Sequence, residues 1–205
     1  MAQTNKCALV ITDGMETKTL PSRFEEGKST MLEYVLDSVW TVADEIFVIF
    51  ESEPSLSLVE RVAPFGVKVA IDREGGSQLT RILTGFRASS SESCLIVPSS
   101  APFVKPNVIF HLFESIQGAD AAIPRWKGGK ADPLLSVYRR KSVLRAAAQL
   151  KSRSIRGLVK NLYTVSYVDV EDFLRPLDPE LLSFFRVATE RDLRTARKIA
   201  ASREQ

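Results

Sequence analysis

The sequence predicts an α/β fold, in which a mostly parallel, mixed sheet is covered by helices on both faces. Short apolar runs rich in Val and Ile alternate along the chain with longer segments whose apolar residues recur every three or four positions. This alternation is typical of stacked βαβ units. Most of the apolar runs also lack polar residues at alternate positions, as expected of strands that helices cover on both sides. The connections between the segments are short, as is usual in α/β units.

The individual elements follow from these two periodicities. Continuous apolar runs predict strands at residues 7–12, 45–50, 67–71, 94–97 and 119–123. Helical spacing predicts covering helices at residues 30–40, 78–88 and 105–116. After Pro124 the pattern changes, which favours a mixed sheet: we predict a glycine-containing loop at 126–131, a strand at 133–138, a helix at 142–150 and a strand at 165–169. A loop around Pro176 and Pro179 then leads to a last helix over 190–201.

Composition narrows the class of protein. With 205 residues, 44% of them hydrophobic, the chain is long enough for one well-buried core, and we expect a single domain over 1–205. A formal net charge of +3 gives no strong attraction to nucleic acid or to a membrane, and neither partner is expected. Cys7 and Cys94 lie in apolar runs, which favours buried free thiols and a reducing compartment. The polar N-terminus lacks the long apolar stretch of a signal peptide, so a cytoplasmic location is predicted.

The predicted working surface is the edge of the sheet where the parallel strands end. Ligands of open parallel sheets bind outside the carboxyl ends of the strands, because the loops diverge there and leave a crevice. Three polar loops follow strands at this edge: residues 12–15 after the first strand, 72–76 after the third and 99–103 after the fourth. We therefore expect the crevice beside Ser99, Ser100 and Phe103 to hold the ligand.

Several groups of residues occur in the order and spacing of one known family. They are Gly27-Lys28 with Met31-Leu32-Glu33, then residues 101–106, 118–125 and 132–135 with Tyr138-Arg139-Arg140, and finally Phe184-Phe185 with Thr189 and Asp192-Leu193. The chain thereby resembles the molybdenum cofactor guanylyltransferases, which have a Rossmann-like nucleotidyltransferase fold. The resemblance implies transfer of GMP from GTP, or of another nucleoside monophosphate from its triphosphate, to molybdopterin or another phosphorylated acceptor. It also implies Mg²⁺ as the cofactor, because a metal held by a carboxylate offsets the charge that develops on the phosphates.

In the resembled family a glycine-rich loop after the first strand receives the triphosphate. Phosphates require backbone N–H groups and cationic side chains close to them. Here Asp13-Gly14 takes the place of a pair of glycines, and the resemblance makes Thr12, Asp13 and Gly14 nucleotide-binding residues. The same resemblance assigns the catalytic role of contacting phosphate to Lys18 and Lys28, with Arg23 in place of the family's arginine.

The second motif of the family is an aspartate after the fourth strand that holds the metal. In this sequence the position is Ser100, and the family's two closing asparagines are replaced by Arg186 and Ala188. A neutral hydroxyl is a poor sole anchor for Mg²⁺. Asp72 follows a buried strand where the family carries an aspartate that faces the crevice. The resemblance therefore points to Asp72 as a nucleotide-binding and metal-binding residue beside Ser100, with Asp13 as a second carboxylate.

Each of these residues also has a structural interpretation. Gly14 and Asp72 suit turns, since glycine accepts positive φ and aspartate bonds to backbone N–H groups nearby. Asp13, Ser99 and Ser100 suit helix caps. The cations of the first loop suit a solvated surface, and the single histidine suits the outer side of a helix. The basic stretch is either a solvated helix face or a contact for the phosphorylated acceptor; it comprises Lys151, Arg153, Arg156 and Lys160.

Two functions of different classes therefore stay open. The first is nucleotidyl transfer of the guanylyltransferase type, which the distributed motifs favour. The alternative is a non-catalytic nucleotide- or cofactor-binding relative that has lost the metal-binding aspartate, which Ser100, Arg186 and Ala188 favour. A fold does not by itself establish an activity. Both functions are compatible with a homo-oligomer.

Overall fold

The structure is a computed structural model that describes residues 5–21, 28–150 and 154–202. Its strands, in chain order, are β1 (Lys6–Ile11), β2 (Thr19–Pro21), β3 (Lys28–Thr30), β4 (Glu45–Phe50), β5 (Lys68–Ile71), β6 (Ser93–Pro98), β7 (Ala121–Arg125), β8 (Ser136–Arg139) and β9 (Val165–Asp169). Its α-helices are α1 (Met31–Trp40), α2 (Leu56–Val62), α3 (Gln78–Ala88), α4 (Pro106–Glu114), α5 (Arg140–Ala148), α6 (Ile155–Lys160) and α7 (Glu190–Ala201). Short turns of other helix types cover Ala63–Phe65, Val170–Leu174 and Leu182–Phe184.

Seven of these described strands form one sheet in the order β5-β4-β1-β6-β8-β7-β9, and β2 pairs with β3 in a separate antiparallel hairpin. β1 runs parallel to β4 and β6, with Val10 opposite both Val48 and Val97. β8 runs antiparallel to β6 and β7, whereas β7 and β9 are parallel to each other. The predicted mostly parallel, mixed sheet is confirmed, and the strand of opposite direction is the one that follows the glycine-containing loop.

Helices cover both faces of the sheet because successive strand residues point to opposite sides. On one face, Val48 packs in a cluster with Leu36 of α1 and Leu112 of α4. On the other face, its neighbour Ile49 packs with Ile82 of α3 and with residues of α5 and α6. Among the described helices, none has the length and apolar character that crossing a membrane requires.

The two cysteines lie side by side in the core. Cys7 on β1 is the register partner of Cys94 on β6, and both are fully buried free thiols, as predicted. A hydrogen bond with Cys94 and burial among apolar side chains raise the pKa of Cys7 above its ordinary value. Because the thiolate is the reactive form of cysteine, the raised pKa disfavours reaction at Cys7.

Several predicted bounds agree with the observed elements, and the differences have local causes. The predicted helices at 78–88 and 190–201 and the strands at 45–50 and 165–169 have the bounds that the structure shows. The strand predicted at 133–138 begins only at Ser136, because the Asp132 carboxylate accepts hydrogen bonds from Leu134 N (3.0 Å) and Leu135 N (3.3 Å) and turns the chain. The β2–β3 hairpin and α2 were not predicted, since elements this short carry little periodic signal.

A third apolar cluster brings the C-terminal segment to the carboxyl edge of the sheet. It joins Leu20 of the hairpin, Phe103 of the loop after β6, and Val187 with Leu193 of the C-terminal segment. Phe103 lies edge-on to the ring of Tyr34, with 6.2 Å between the ring centroids. The residues just before α7 are therefore held next to the predicted crevice.

Candidate active site

The loops after β1 and β6 meet at the carboxyl edge of the sheet through a short run of hydrogen bonds. Ser99 N donates to Ile11 O at 2.9 Å, and the buried Ser99 hydroxyl donates to Asp13 Oδ1 at 2.8 Å. Asp13 itself is exposed. Ser99 thus positions the Asp13 carboxylate, and the helix-cap interpretation of Ser99 is wrong because α4 begins only at Pro106, with Lys105 as its cap residue.

Thr12 serves as an anchor at the end of β1. Its side chain is buried, and its hydroxyl donates to Ile49 O at 2.9 Å, while its backbone N–H donates to the same oxygen at 3.1 Å. These bonds fix the point at which the chain leaves the sheet. Any contact of Thr12 with a nucleotide would have to come from the backbone of the loop that it starts.

The loop after Thr12 has an exposed, glycine-dependent turn. Gly14 has φ +87°, and no other atom lies within 4 Å of the position that a Cβ would occupy. Gly14 N donates to the Glu16 carboxylate at 2.8 Å, so an anionic group already lies at this loop amide. Lys18 forms an exposed ion pair with Glu190 of α7, with 3.3 Å between Nζ and Oε1. The loop therefore presents both an N–H group and a cation, each engaged by a glutamate.

The other residues named for the first loop lie partly outside the described part of the chain. Lys28 begins β3, where its backbone pairs with Pro21, and its side chain is not among the described groups. Arg23 and Gly27 fall in the segment 22–27, outside the described residues, as do Lys151 and Arg153 further along.

Asp72 follows β5 but points into the protein. It is 3% exposed, and its Oδ1 accepts from Glu74 N (3.2 Å) and Gly75 N (3.3 Å) while its Oδ2 accepts from Thr80 Oγ1 at 2.6 Å. These bonds organise the turn that leads into α3. The turn interpretation of Asp72 is therefore confirmed, and its role toward nucleotide or metal stays a prediction.

Ser100 lies where the C-terminal segment crosses the crevice. Its carbonyl oxygen accepts from Val187 N at 2.9 Å, and its side chain is buried. This bond places Arg186 and Ala188, the replacements for the family's asparagines, on either side of the contact with the loop after β6. The residues that the sequence singled out at positions 100, 186 and 188 are thus brought together.

The Arg186 guanidinium is the principal charged group that this crossing brings to the crevice. Its Nη2 lies 2.9 Å from Asp132 Oδ2, and its Nη1 donates to Ser183 O (2.8 Å) and Phe185 O (3.4 Å). Burial lowers the pKa of the guanidinium, and the negative charges of Asp132 and Asp13 oppose that shift. Sequence reasoning treated Arg186 as a lost asparagine; its role as a fixed cation depends on tertiary contacts that no local pattern signals.

The carboxylates near the crevice do not form a closed metal cage. Among the described residues, no group of three or more His, Cys, Asp or Glu side chains is arranged to hold a metal ion. Asp72 is engaged by its own turn and Asp132 by Arg186, which leaves the exposed Asp13. Mg²⁺ often uses only one or two carboxylates together with substrate phosphates. The site therefore fits a metal that arrives with phosphates better than one held by the protein alone.

A cavity of about 440 Å³ lies beside the loop at 126–131. Its lining combines cations with apolar groups: Lys130, Arg156 and Lys160 contribute charge, and Ile123, Val159 and Tyr167 contribute apolar surface. Ala131 and Pro133 also line it, so Asp132 lies between this cavity and Arg186. The sequence predicted a basic stretch here, and the structure adds Lys130 from a distant loop.

Comparison with known proteins identifies the family. The model of the MobA-like NTP transferase domain matches residues 15–166. The chain belongs to the MobA-like NTP transferases. The match spans the loop after β1 from Met15, the Ser100 turn and the lining of the basic cavity except Tyr167, whereas Asp13 and Arg186 lie outside it.

Individual MobA-like relatives agree with this assignment. The probable molybdenum cofactor guanylyltransferase of Methanosarcina acetivorans is 32% identical over 176 residues, which cover 82% of this chain and 77% of the relative. The corresponding protein of Methanosarcina mazei is 30% identical over 187 residues, covering 88% and 82%. The predicted resemblance to guanylyltransferases and the prediction of a nucleotidyltransferase are confirmed at the level of the family.

Solved structures of MobA-like and related proteins share the fold. The molybdopterin-guanine dinucleotide biosynthesis protein A from Archaeoglobus fulgidus superimposes with a TM-score of 0.70 at 26% identity, covering 96% of this chain and 99% of that one. A cytidylyltransferase from Thermus thermophilus gives a TM-score of 0.67 at 18% identity, covering 97% and 100%. The second likeness shows that the two chains share a fold.

Proposed function

We propose that this chain transfers GMP from GTP to molybdopterin, with release of pyrophosphate. The observation that carries the proposal is the shared segment 131–133, where the crevice at the carboxyl edge of the sheet adjoins the basic cavity. Transfer of a nucleotidyl group from one substrate to another requires that the two substrates bind at neighbouring sites. The names of the relatives support GTP and molybdopterin as those substrates.

On the nucleotide side, the loop after β1 receives the phosphates. The Gly14 amide, now bonded to Glu16, is the N–H group offered to a phosphate oxygen, and Lys18 and Lys28 are the catalytic cations. Thr12, Asp13 and Asp72 shape the surrounding pocket. When Mg²⁺ is bound, it lowers the charge repulsion between the phosphates and the attacking group, with Asp13 as its carboxylate ligand and Ser100 beside it.

On the acceptor side, the basic cavity holds a phosphorylated molecule with a flat heterocyclic body. Lys130, Arg156 and Lys160 attract its phosphate, while Tyr167 and Val159 contact the ring system. An oxygen of that phosphate attacks the α-phosphorus of GTP, a new P–O bond forms, and the bond to the β-phosphate oxygen breaks. The products are a dinucleotide and pyrophosphate. The reaction is proposed for residues 1–205 as one cytoplasmic domain.

The reaction is tested with the full chain, Mg²⁺, molybdopterin and each of the four nucleoside triphosphates in turn. We expect pyrophosphate release and a dinucleotide product with GTP and little with the other three. Thermal unfolding with each nucleotide accompanies the assay. Binding of GTP without product would support the non-catalytic alternative. The absence of both binding and product would overturn the proposal.

A separate variant tests the acceptor site. Arg156→Gln removes a cation that lines the basic cavity, and we expect it to raise the KM for molybdopterin roughly tenfold while the Kd for GTP stays the same. Lys141→Gln, which removes an exposed cation of α5 outside the cavity, is the matched control. An unchanged KM in Arg156→Gln would place the acceptor elsewhere.

A further inference from the structure

We infer that Arg186 is a built-in cation of the nucleotide site: its guanidinium faces the triphosphate and neutralises part of its charge. The inference rests on the proposed function, because it concerns the same crevice. In the resembled family, a metal held by an aspartate offsets the charge of the phosphates. This chain has Ser100 at that position, and Arg186 supplies positive charge to the phosphates instead.

The guanidinium is held in place before any ligand arrives. Within the described part of the chain, three of its N–H groups are used, by Asp132 Oδ2 at 2.9 Å, Ser183 O at 2.8 Å and Phe185 O at 3.4 Å. A guanidinium has five N–H donors in a rigid plane, so two of them have no acceptor among the described residues and are able to donate to an anion. Its side chain is 23% exposed, so part of it is accessible to a ligand.

The position of Arg186 is set by the loop that carries Ser100. The bond from Val187 N to Ser100 O, at 2.9 Å, joins the C-terminal segment to this loop. The preceding residue, Ser99, holds the Asp13 carboxylate at 2.8 Å, and the charge of Asp13 acts on the guanidinium. Asp13, Ser100 and Arg186 therefore lie near one another at this edge of the sheet.

The charges around this space require a cation. Asp13 and Asp132 would present two negative groups to a triphosphate if Arg186 were neutral, and like charges close together repel. Arginine suits the position because it stays charged at neutral pH and its guanidinium is weakly hydrated, so partial burial costs less than for lysine. Arg186 thus offsets the carboxylates and leaves donors for phosphate.

A purely structural Arg186 would have different consequences. If it only holds Asp132 and the C-terminal segment together, its removal lowers stability and leaves the metal dependence of nucleotide binding as it was. If it faces phosphate, its removal makes nucleotide binding depend more strongly on Mg²⁺. The two roles therefore separate in binding measurements made with and without the metal.

The experiment measures the Kd of GTP by calorimetry for the full chain, Arg186→Gln and Arg186→Lys, each with Mg²⁺ and with EDTA. We expect the unaltered chain to bind GTP in EDTA, Arg186→Gln to lose roughly tenfold to a hundredfold of that affinity, and Mg²⁺ to restore part of it. Arg186→Lys should fall between them. Arg194→Gln, an exposed change of equal charge on α7, is the control.

If Arg186→Gln is unstable, Arg186→Lys carries the test, because it keeps a positive charge beside Asp132 but lacks the planar set of N–H donors. An affinity for GTP in EDTA equal to that of the unaltered chain would then overturn the inference. A double variant adds a separate test of the metal. Arg186→Gln with Ser100→Asp exchanges the built-in cation for a metal-binding carboxylate, and we expect it to bind GTP only when Mg²⁺ is present. Equal Kd values in the unaltered chain and Arg186→Gln under both conditions would overturn the inference and leave the proposed function standing. Failure of the unaltered chain to bind GTP at all would overturn both.

Discussion

Asp13 and Asp72 follow strands of the same sheet, yet their carboxylates have opposite surroundings. Asp13 is exposed and receives the Ser99 hydroxyl, so it remains open to an incoming ligand. Asp72 is buried, and Thr80 with the backbone of the following turn occupies its oxygens. A carboxylate whose lone pairs are all used inside the protein has to break those bonds before it can bind a metal. Of the two, Asp13 is therefore the better candidate.

This contrast predicts how Asp13→Asn changes nucleotide binding. Removal of the charge should strengthen GTP binding in EDTA by roughly two- to fivefold, because one negative group beside the phosphates is lost. The same change should reduce the gain that Mg²⁺ brings, because the carboxylate ligand is gone. Calorimetry under both conditions measures the ratio of the two Kd values. A ratio equal to that of the unaltered chain would show that Asp13 does not contact the metal.

Asp72→Asn should act on stability instead. The amide is unable to accept all the hydrogen bonds that the carboxylate accepts, and we expect the free energy of unfolding in urea to fall by about 1–3 kcal/mol. The ratio of GTP Kd values with and without Mg²⁺ should stay unchanged. Loss of the Mg²⁺ effect in a variant that is still folded would instead confirm the predicted metal role of Asp72.

At the scale of the element, the phosphate-binding groups predicted in the loop from Gly14 to Lys18 contact glutamate side chains of the protein itself. Glu16 accepts from the Gly14 amide at 2.8 Å, and Glu190 pairs with Lys18 at 3.3 Å. Both contacts are exposed, where ion pairs contribute little to stability. They can therefore exchange for phosphate contacts without a large penalty.

Glu16→Ala tests this exchange. It frees the Gly14 amide and removes a negative charge that a phosphate has to displace, so GTP should bind roughly two- to fivefold more tightly. Stability should change little, since the side chain is at the surface. Glu60→Ala, which removes an exposed glutamate of α2, controls for the change in net charge. Weaker GTP binding in Glu16→Ala alone would mean that Glu16 supports the bound state of the loop.

The elements differ in how far the sequence predicts them. Long helices such as α3 and α7 were predicted with the observed bounds, because their apolar positions repeat over several turns. The hairpin of β2 and β3 is three residues on each side, too short for any period to appear. The turn at Asp132 comes from side-chain hydrogen bonds, which a pattern of apolar residues does not record. The site shows the same division: the loops were predicted, whereas the cation that Arg186 supplies depends on contact with residues far away in sequence.

At the scale of the whole molecule, the C-terminal segment completes the site from outside the sheet. Asp178 is fully buried, and its Oδ1 lies 3.0 Å from Lys105 Nζ while its Oδ2 accepts from Ser183 N at 2.7 Å. Lys105 N in turn donates to Ser183 Oγ at 3.1 Å. These contacts fasten the chain before Arg186 to the loop after Ser100. The geometry of the crevice therefore depends on one buried carboxylate.

Because Asp178 acts as a charged group, its contribution to the stability of the fold depends on pH. Burial alone would raise the pKa of Asp178, but the hydrogen bonds from Ser183 and the ion pair with Lys105 hold it below its ordinary value. A carboxyl group whose pKa is lower in the folded than in the unfolded protein stabilises the fold above the unfolded pKa, about 3.9 for aspartate. That contribution is lost as the pH falls through the folded pKa.

Asp178→Asn should therefore isolate the contribution of this carboxylate to stability from that of the other acidic residues. At pH 7 we expect the variant to lose about 1–3 kcal/mol of unfolding free energy and to bind GTP more weakly, because Arg186 is less well held. Below about pH 4 the difference in stability between the two proteins should shrink, since protonation of Asp178 removes the same interaction from the unaltered chain. Urea unfolding at pH 7 and at several pH values down to 3 measures the difference. A constant difference across this range would mean that Asp178 stabilises the fold through packing rather than through its charge.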